Sequence, residues 1–260
     1  MNWYEALLLG LIQGLTEFLP VSSSGHLELG KHFLNIESAQ SLNFTIVVHG
    51  ATVLSTIVVF WKELRDLFLG FLTFKWNDEN KYIGKILVSV IPVGILGLFF
   101  EEEVKRFFTG NIVFVGAMLL VTATLLSLTY LSKSKGKSVS FIDAFIIGIA
   151  QTLAVLPGIS RSGATIATGL MLGKNKKEVA QFSFLMVLIP VIGANFKDII
   201  SGEFSEGSDI GIAPLIVGFV AAFVSGLLAC KWMINLVKKG KLITFAIYCA
   251  IIGILAILFG

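Results

Sequence analysis

Charge is what this chain has least of. Asp, Glu, Lys and Arg make up 14% of its 260 residues, whereas a soluble domain carries about 25%. Hydrophobic residues account for 55% and the mean hydropathy is +0.88. Such a chain cannot cover its own surface with polar groups, which excludes a soluble globule, and the same figures exclude disorder. Cysteine is nearly missing. Cys230 and Cys249 both lie in apolar runs, where they read as small core residues, so a disulfide-stapled secreted fold is excluded too. The net charge of +3 is too weak to imply nucleic acid. Neither a Walker A nor an HExxH motif is present. What remains is an all-α polytopic membrane protein.

A spanning helix needs roughly 20 apolar residues. Six stretches qualify: 43–61, 83–100, 112–131, 179–200, 211–233 and 242–259. The first apolar stretch of the chain is no cleavable signal, because it lacks a basic leading region and polar residues follow it at once. Two further segments are apolar but broken. Residues 4–19 stop at Pro20, and a polar turn, Val21 to His26, precedes a short apolar piece ending near Leu34. Residues 141–156 stop at Pro157, and Gly158 to Gly163 precede a piece ending near Leu172. Each half is too short to cross a bilayer. Polar backbone at membrane depth is tolerated only where protein or a water-filled cavity surrounds it. Both segments are therefore expected to be re-entrant helix–loop–helix hairpins.

The hairpins match each other at an offset of 138 residues. Ala6 to Gln13 aligns with Ala144 to Gln151, Ser22 with Ser160, Ser24 with Ser162, and Gly25 with Gly163. This is an internal repeat of half the chain, 1–134 and 135–260, within a single membrane domain, 1–260. Three spans separate the hairpins, and three is odd, so the second enters from the opposite face. The expectation is an inverted-topology repeat with its site where the broken helices meet. Basic residues agree. Fifteen lie on the side formed by 62–85, 132–140, 173–178 and 231–241, against Lys31, Lys105, Arg106 and Lys197 on the other. The positive-inside rule puts the fifteen in the cytoplasm and both termini outside.

The candidate functional residues are the polar ones on the hairpins. Gln13 and Glu17 share one helix face. Arg161 occupies the turn position that matches Ser23. A charge at the bilayer centre costs roughly 2.5–3.5 kcal/mol, a large share of a stability of about 5–15 kcal/mol. Glu17 and Arg161 thus require pairing, hydration or function. The serines (Ser22, Ser23, Ser24, Ser160, Ser162), the backbone N–H groups at helix starts beside Gly25 and Gly163, and Arg161 together make an anion site. His26 and Glu17 can move protons, or Glu17 and Gln13 can offer oxygen ligands to a hard cation such as Mg²⁺. That set fits hydrolysis of a phosphate whose lipid tail lies in the bilayer. Plainer readings stand beside it: a Glu17–Arg161 pair that only locks the repeats, serines that only cap helices, glycines that only make turns. His49, in a span, suits a cavity wall or an interhelical bond equally. Asp143 reads as a helix-start residue and Glu101 to Glu103 as a solvated loop.

Gln13-Gly14-Leu15-Thr16-Glu17-Phe18-Leu19-Pro20-Val21-Ser22-Ser23-Ser24-Gly25-His26 resembles the first signature of the undecaprenyl-diphosphate phosphatase family, also called the bacitracin-resistance family. Pro157-Gly158-Ile159-Ser160-Arg161-Ser162-Gly163 resembles its second. The resemblance implies a bacterial plasma-membrane enzyme that hydrolyses undecaprenyl diphosphate to undecaprenyl phosphate and inorganic phosphate. That reaction recycles the lipid carrier of peptidoglycan synthesis and, in excess, confers bacitracin resistance. It implies catalytic roles for Glu17, Ser23, His26 and Arg161, and a divalent cation, Mg²⁺ or Ca²⁺, near Gln13 and Glu17. It also implies a site open to the outer face. Gln13 departs from the Glu common at its position, which makes it a poor obligatory base. Acid-type lipid phosphatases share a Pro-Ser-Gly-His turn, but they need a histidine soon after the Ser-Arg pair, and 162–172 has none. The competing expectation is a lipid-carrier transporter (flippase) on the same inverted-repeat architecture. Nucleophile and oligomeric state stay open, a homo-oligomer included.

Overall fold

The structure is a computed structural model. It describes all residues except Asn35, Glu37, Phe108, Thr109, 133–135, 201–209 and Lys241, and describes backbone only at 38–42, 105, 198 and 199. Lys133, Lys135 and Lys241, counted above in the charge bias, and the boundary between repeats at 134/135 therefore lie outside the described residues.

Helices account for the fold, and no β-strand occurs among the described residues. The first half runs through α1 (Trp3–Phe18), α2 (Ser23–Phe33), α3 (Ser38–Val59), α4 (Trp61–Phe71), α5 (Asp78–Phe99), the short α6 (Glu101–Lys105) and α7 (Ile112–Leu128). The second runs through α8 (Phe141–Leu153), α9 (Arg161–Met171), α10 (Lys176–Met186), α11 (Leu188–Ile200), α12 (Ile212–Lys239) and α13 (Ile243–Phe259).

Among the described residues, four continuous segments are long and apolar enough to cross a membrane: Asp78–Phe99, Ile112–Leu131, Lys176–Lys197 and Ile212–Lys239. A bent pair, Asn43–Val59 with Trp61–Phe71, makes a fifth if taken as one span. The expected span 43–61 ends in a bend of 76° at Phe60. The expected span 179–200 falls on Lys176–Lys197, which crosses with one irregular turn at Val187, where Pro190 has no N–H to offer the Met186 carbonyl. The expected span 242–259 is α13, whose 17 residues reach about 26 Å, short of the roughly 30 Å hydrocarbon core. Apolar length alone did not register the bend at Phe60.

Both broken segments are helix–turn–helix pairs. Leu19 precedes a proline, is restricted to extended backbone, and ends α1 at φ −69°, ψ 144°. The second break comes earlier than Pro157. α8 stops at Leu153, and tight turns carry the chain onward, with Val155 N–H on the Thr152 carbonyl and Leu156 N–H on that of Leu153. At the start of α8, Asp143 takes the helix-start role expected of it, accepting from Ser140 N–H at 2.7 Å while Lys174 Nζ pairs with it at 2.6 Å. Glu101 is not a free loop carboxylate; it pairs with Lys197 on α11.

The halves are joined by exchange. α1 packs along α12, α8 packs along α5, and α7 packs along α13. Small residues allow it. Gly10 lies against the Gly218 backbone, and Gly116 and Gly253 face each other's carbonyl oxygens. The main core gathers α7, α9, α10, α12 and α13 around Leu119, Leu126, Phe182, Met186 and Met233.

Candidate active site

The two turns dock on each other at the centre of the fold. Ser22 is their hinge. It caps α2 by accepting from Gly25 N–H at 3.3 Å, and its Oγ also accepts from Gly158 N–H at 3.1 Å. To do both it holds φ +70°, a left-handed conformation that a non-glycine residue adopts at a cost of order 1–3 kcal/mol and keeps only when its surroundings enforce it. Ser160 repeats the cap on α9, accepting from Gly163 N–H at 3.0 Å. Ser162 Oγ donates to the Leu19 carbonyl at 3.2 Å, back across the interface. Thr122 on α7 clamps the second turn, donating to the Gly158 carbonyl and accepting from Ser160 N–H, each at 2.9 Å. A Cβ on Gly25 would lie 3.0 Å from Gly158 Cα, and one on Gly163 would lie 3.3 Å from Pro20 Cβ.

These bonds qualify the expected phosphate-binding set. Ser22, Ser160 and Ser162 are buried, and their hydroxyls are already engaged within the protein, so in this state they join the turns. Gly25 and Gly163 let the turns approach. Ser24 Oγ lies 3.4 Å from Ser22 Oγ. Ser22→Ala should therefore act on folding. Two buried N–H donors lose their acceptor, at about 1–3 kcal/mol each, and thermal denaturation of the detergent-solubilised protein should show a clear drop in midpoint.

The docked turns bring Glu17 and Arg161 together. Arg161 Nη2 donates to Glu17 Oε1, with the carboxylate side chain 7% exposed and the guanidinium 24%. The other oxygen, Oε2, accepts from Ser23 Oγ at 2.7 Å and from Gln13 Nε2 at 2.9 Å. His49, whose place the sequence left undecided, reaches the same carboxylate. Its Nε2 is 4.0 Å from Oε2, and its Nδ1 lies 2.9 Å from the Thr45 carbonyl. Thus Gln13, Glu17, Ser23 and Arg161 form one hydrogen-bonded cluster drawn from both helix–turn–helix pairs. Beside it Glu17, Arg161, Ser162, Thr52, Thr56 and Ser183 line a cavity of about 20 Å³, room for water but not for a phosphate group.

His26 stands on α2, three residues on from Ser23, so the two share a helix face. Its Nδ1 is 2.9 Å from the Ser22 carbonyl and its Nε2 is 2.9 Å from the hydroxyl of Tyr248 on α13, over whose ring it stacks at 5.6 Å. Tyr248 and Thr122 were not singled out in the sequence. Tyr248 lies inside an apolar span 222 residues from His26, and Thr122 carries no motif. A lone polar group amid an apolar helix was their only signal.

The donors around Glu17 bear on whether a cation fits. Among the described residues no three His, Cys, Asp or Glu side chains converge as a metal site. The oxygen donors are the Glu17 carboxylate and Gln13 Oε1, which is fully buried and accepts no hydrogen bond among the described residues. An orphaned amide oxygen beside a carboxylate suits a hard ion that takes its other ligands from water and substrate phosphates, as Mg²⁺ commonly does.

A multi-pass, all-helical membrane protein with a carboxylate, a guanidinium and a serine hydroxyl joined where two helix breaks meet is the class that fold and cluster define. Its residues 6–255 match the family model described as bacitracin resistance protein BacA, and the chain belongs to that family. It is 59% identical to a Bacteroides fragilis protein named undecaprenyl-diphosphatase, over 99% of this chain and 98% of that one. A Christiangramia forsetii protein of the same name is 55% identical over 100% and 98%. A Methanosphaera stadtmanae one is 39% identical over 98% and 96%.

Proposed function

We propose that this protein is an undecaprenyl-diphosphatase: an integral-membrane hydrolase that converts a polyprenyl diphosphate to the monophosphate and inorganic phosphate. The observation that carries the reading is the Ser23 Oγ–Glu17 Oε2 bond of 2.7 Å beside Arg161. A hydroxyl within hydrogen-bond reach of a base, with the base oriented by further groups, is the arrangement of an activated nucleophile. Arg161 leaves Glu17 to grip the terminal phosphate in a planar fork. Ser23 Oγ attacks the phosphorus, its proton passes to Glu17, and the prenyl monophosphate departs; water then releases phosphate from the serine. His26 exchanges a proton with the reacting oxygens. Most of the acceleration comes from position and charge. Glu17 and Gln13 would hold Mg²⁺ or Ca²⁺, which when bound neutralises diphosphate charge.

The same reading takes the helix–turn–helix pairs as re-entrant hairpins of an inverted repeat with six crossings, α13 tilted little or the bilayer thinned to meet it. The exchange of α1 and α8 between halves supports it. So does the basic bias, under which both termini lie outside, and the same reading has the site open to that outer face.

Purified protein in detergent should release phosphate from a polyprenyl diphosphate with Mg²⁺, stop with EDTA, and resume when Mg²⁺ is restored. Absence of release from well-folded protein would sink the enzyme reading. Release unaffected by EDTA would remove the cation from it.

A further inference from the structure

We infer that Tyr248 is a positioning residue of this site, whose hydroxyl donates to His26 Nε2 and, together with the Ser22 carbonyl at Nδ1, holds the imidazole in one tautomer with Nε2 as the nitrogen that exchanges protons. The inference rests on the hydrolase reading for its kinetic consequence, but its structural content stands apart from it.

The partners of the ring fix where its proton sits. The Ser22 carbonyl can only accept, so the 2.9 Å contact at Nδ1 requires the proton to be on Nδ1. A neutral imidazole then has its lone pair on Nε2. That lone pair faces the Tyr248 hydroxyl at 2.9 Å, and the hydroxyl donates to it. The residue that carries this carbonyl is anchored through its side chain, because Ser22 Oγ accepts from both Gly25 N–H and Gly158 N–H. One nitrogen is thus tied to the docked turns and the other to α13. Stacking of the two rings, 13° from parallel, restrains the imidazole plane as well. A histidine fixed at Nδ1 by a carbonyl, with Nε2 presented for chemistry, is how proteins commonly set an imidazole's reacting nitrogen.

The position of Tyr248 adds a second element. α13 belongs to neither hairpin and packs along α7. Tyr248 is 41% exposed, so its hydroxyl sits at the edge of the site rather than within it. It occupies the place on Nε2 that an oxygen of the substrate or of water must take during reaction. The hydroxyl therefore keeps the lone pair directed until substrate displaces it, and a phenol rotates away more readily than a buried backbone group.

Tyr248→Phe separates the hydroxyl from the ring, and Tyr248→Leu removes both. Tyr130→Phe, at a remote exposed tyrosine, serves as the control. In wild-type protein with ¹⁵N-labelled histidine, NMR near neutral pH should show His26 protonated at Nδ1 and bare at Nε2, with His26→Gln identifying its signals among the three histidines. In Tyr248→Phe the populations should shift toward a mixture of tautomers. Steady-state kinetics should show kcat reduced about 10–100-fold, the scale on which outer partners of an orienting imidazole act, with KM nearly unchanged. Tyr248→Leu should be at least as impaired. Wild-type His26 protonated at Nε2, or a Tyr248→Phe spectrum identical to wild type, would overturn the inference whether or not the protein releases phosphate. Normal tautomer selection in a protein without phosphatase activity would instead overturn only the hydrolase reading. Wild-type kcat in Tyr248→Phe with a loss confined to Tyr248→Leu would reduce Tyr248 to a packing surface.

Discussion

Arg161→Ala is expected to abolish phosphate release while leaving the protein folded. An arginine that meets transferring phosphoryl charge contributes about 10³-fold or more, so kcat/KM should fall by at least that factor. Stability should fall far less than for an ordinary buried ion pair, where removing one partner costs about 3–5 kcal/mol by stranding the other charge. Here the remaining carboxylate is not stranded. Glu17 Oε2 keeps the Ser23 and Gln13 bonds, and the cavity that Glu17 lines already has room for water. Arg161→Lys should fall between the two, because it keeps the charge and loses the planar fork. Activity assays beside thermal melts decide the matter. If Arg161→Ala melts far below wild type and Arg161→Lys recovers both fold and rate in proportion, the pair is structural, and the plainer reading of these charges is the right one.

Gly14→Ala should cripple the protein by a different route. A Cβ there would sit 2.0 Å from Ser225 Oγ and 2.4 Å from the Ala222 carbonyl oxygen. The hydroxyl is held by its bond to the Ala221 carbonyl, 2.6 Å away, and the carbonyl oxygen is backbone, so neither yields cheaply. α1 must move off α12, and Glu17, one turn further along α1, moves with it. Overpacking of this kind costs about 1–3 kcal/mol and sometimes more. The comparison is Gly97→Ala, where nothing lies within 4 Å of the new methyl. That change should be neutral or slightly stabilising, since alanine is the better helix former by about 1 kcal/mol. Melting midpoints of the two variants in the same detergent test the exchange of helices directly. Equal midpoints would mean that α1 and α12 do not meet as described.

The cluster was partly legible because its members carry chemistry that an apolar chain does not retain without reason. Glu17 and Arg161 stood out as charges amid hydrophobic runs, and their pairing was one of the outcomes weighed. The matched turns also pointed to each other, since Ser22 and Ser160 sit at one offset and cap their helices by the same bond. The serines were harder. A hydroxyl reads the same whether it faces a ligand or a neighbouring backbone, and Ser22 and Ser162 use theirs to join the turns. Tyr248 and Thr122 were invisible because their partners are remote in sequence, and no spacing rule links α13 or α7 to the hairpins.

The sequence by itself determined the all-helical membrane class, the two broken segments, the internal offset and the residues that bear charge. Each of these follows from composition or from local backbone chemistry: long apolar runs, polar glycine- and proline-bearing turns that interrupt them, polar groups too costly to be idle. Tertiary structure alone decided which of those groups meet. It turned Ser22 inward, set Arg161 on Glu17, bent the chain at Phe60, and placed a tyrosine of α13 on His26. Such outcomes depend on how closely helices approach, which glycines at 10, 14, 116, 148 and 253 set through contacts with backbone from distant segments, and that approach is a property of the packed molecule rather than of any stretch of it.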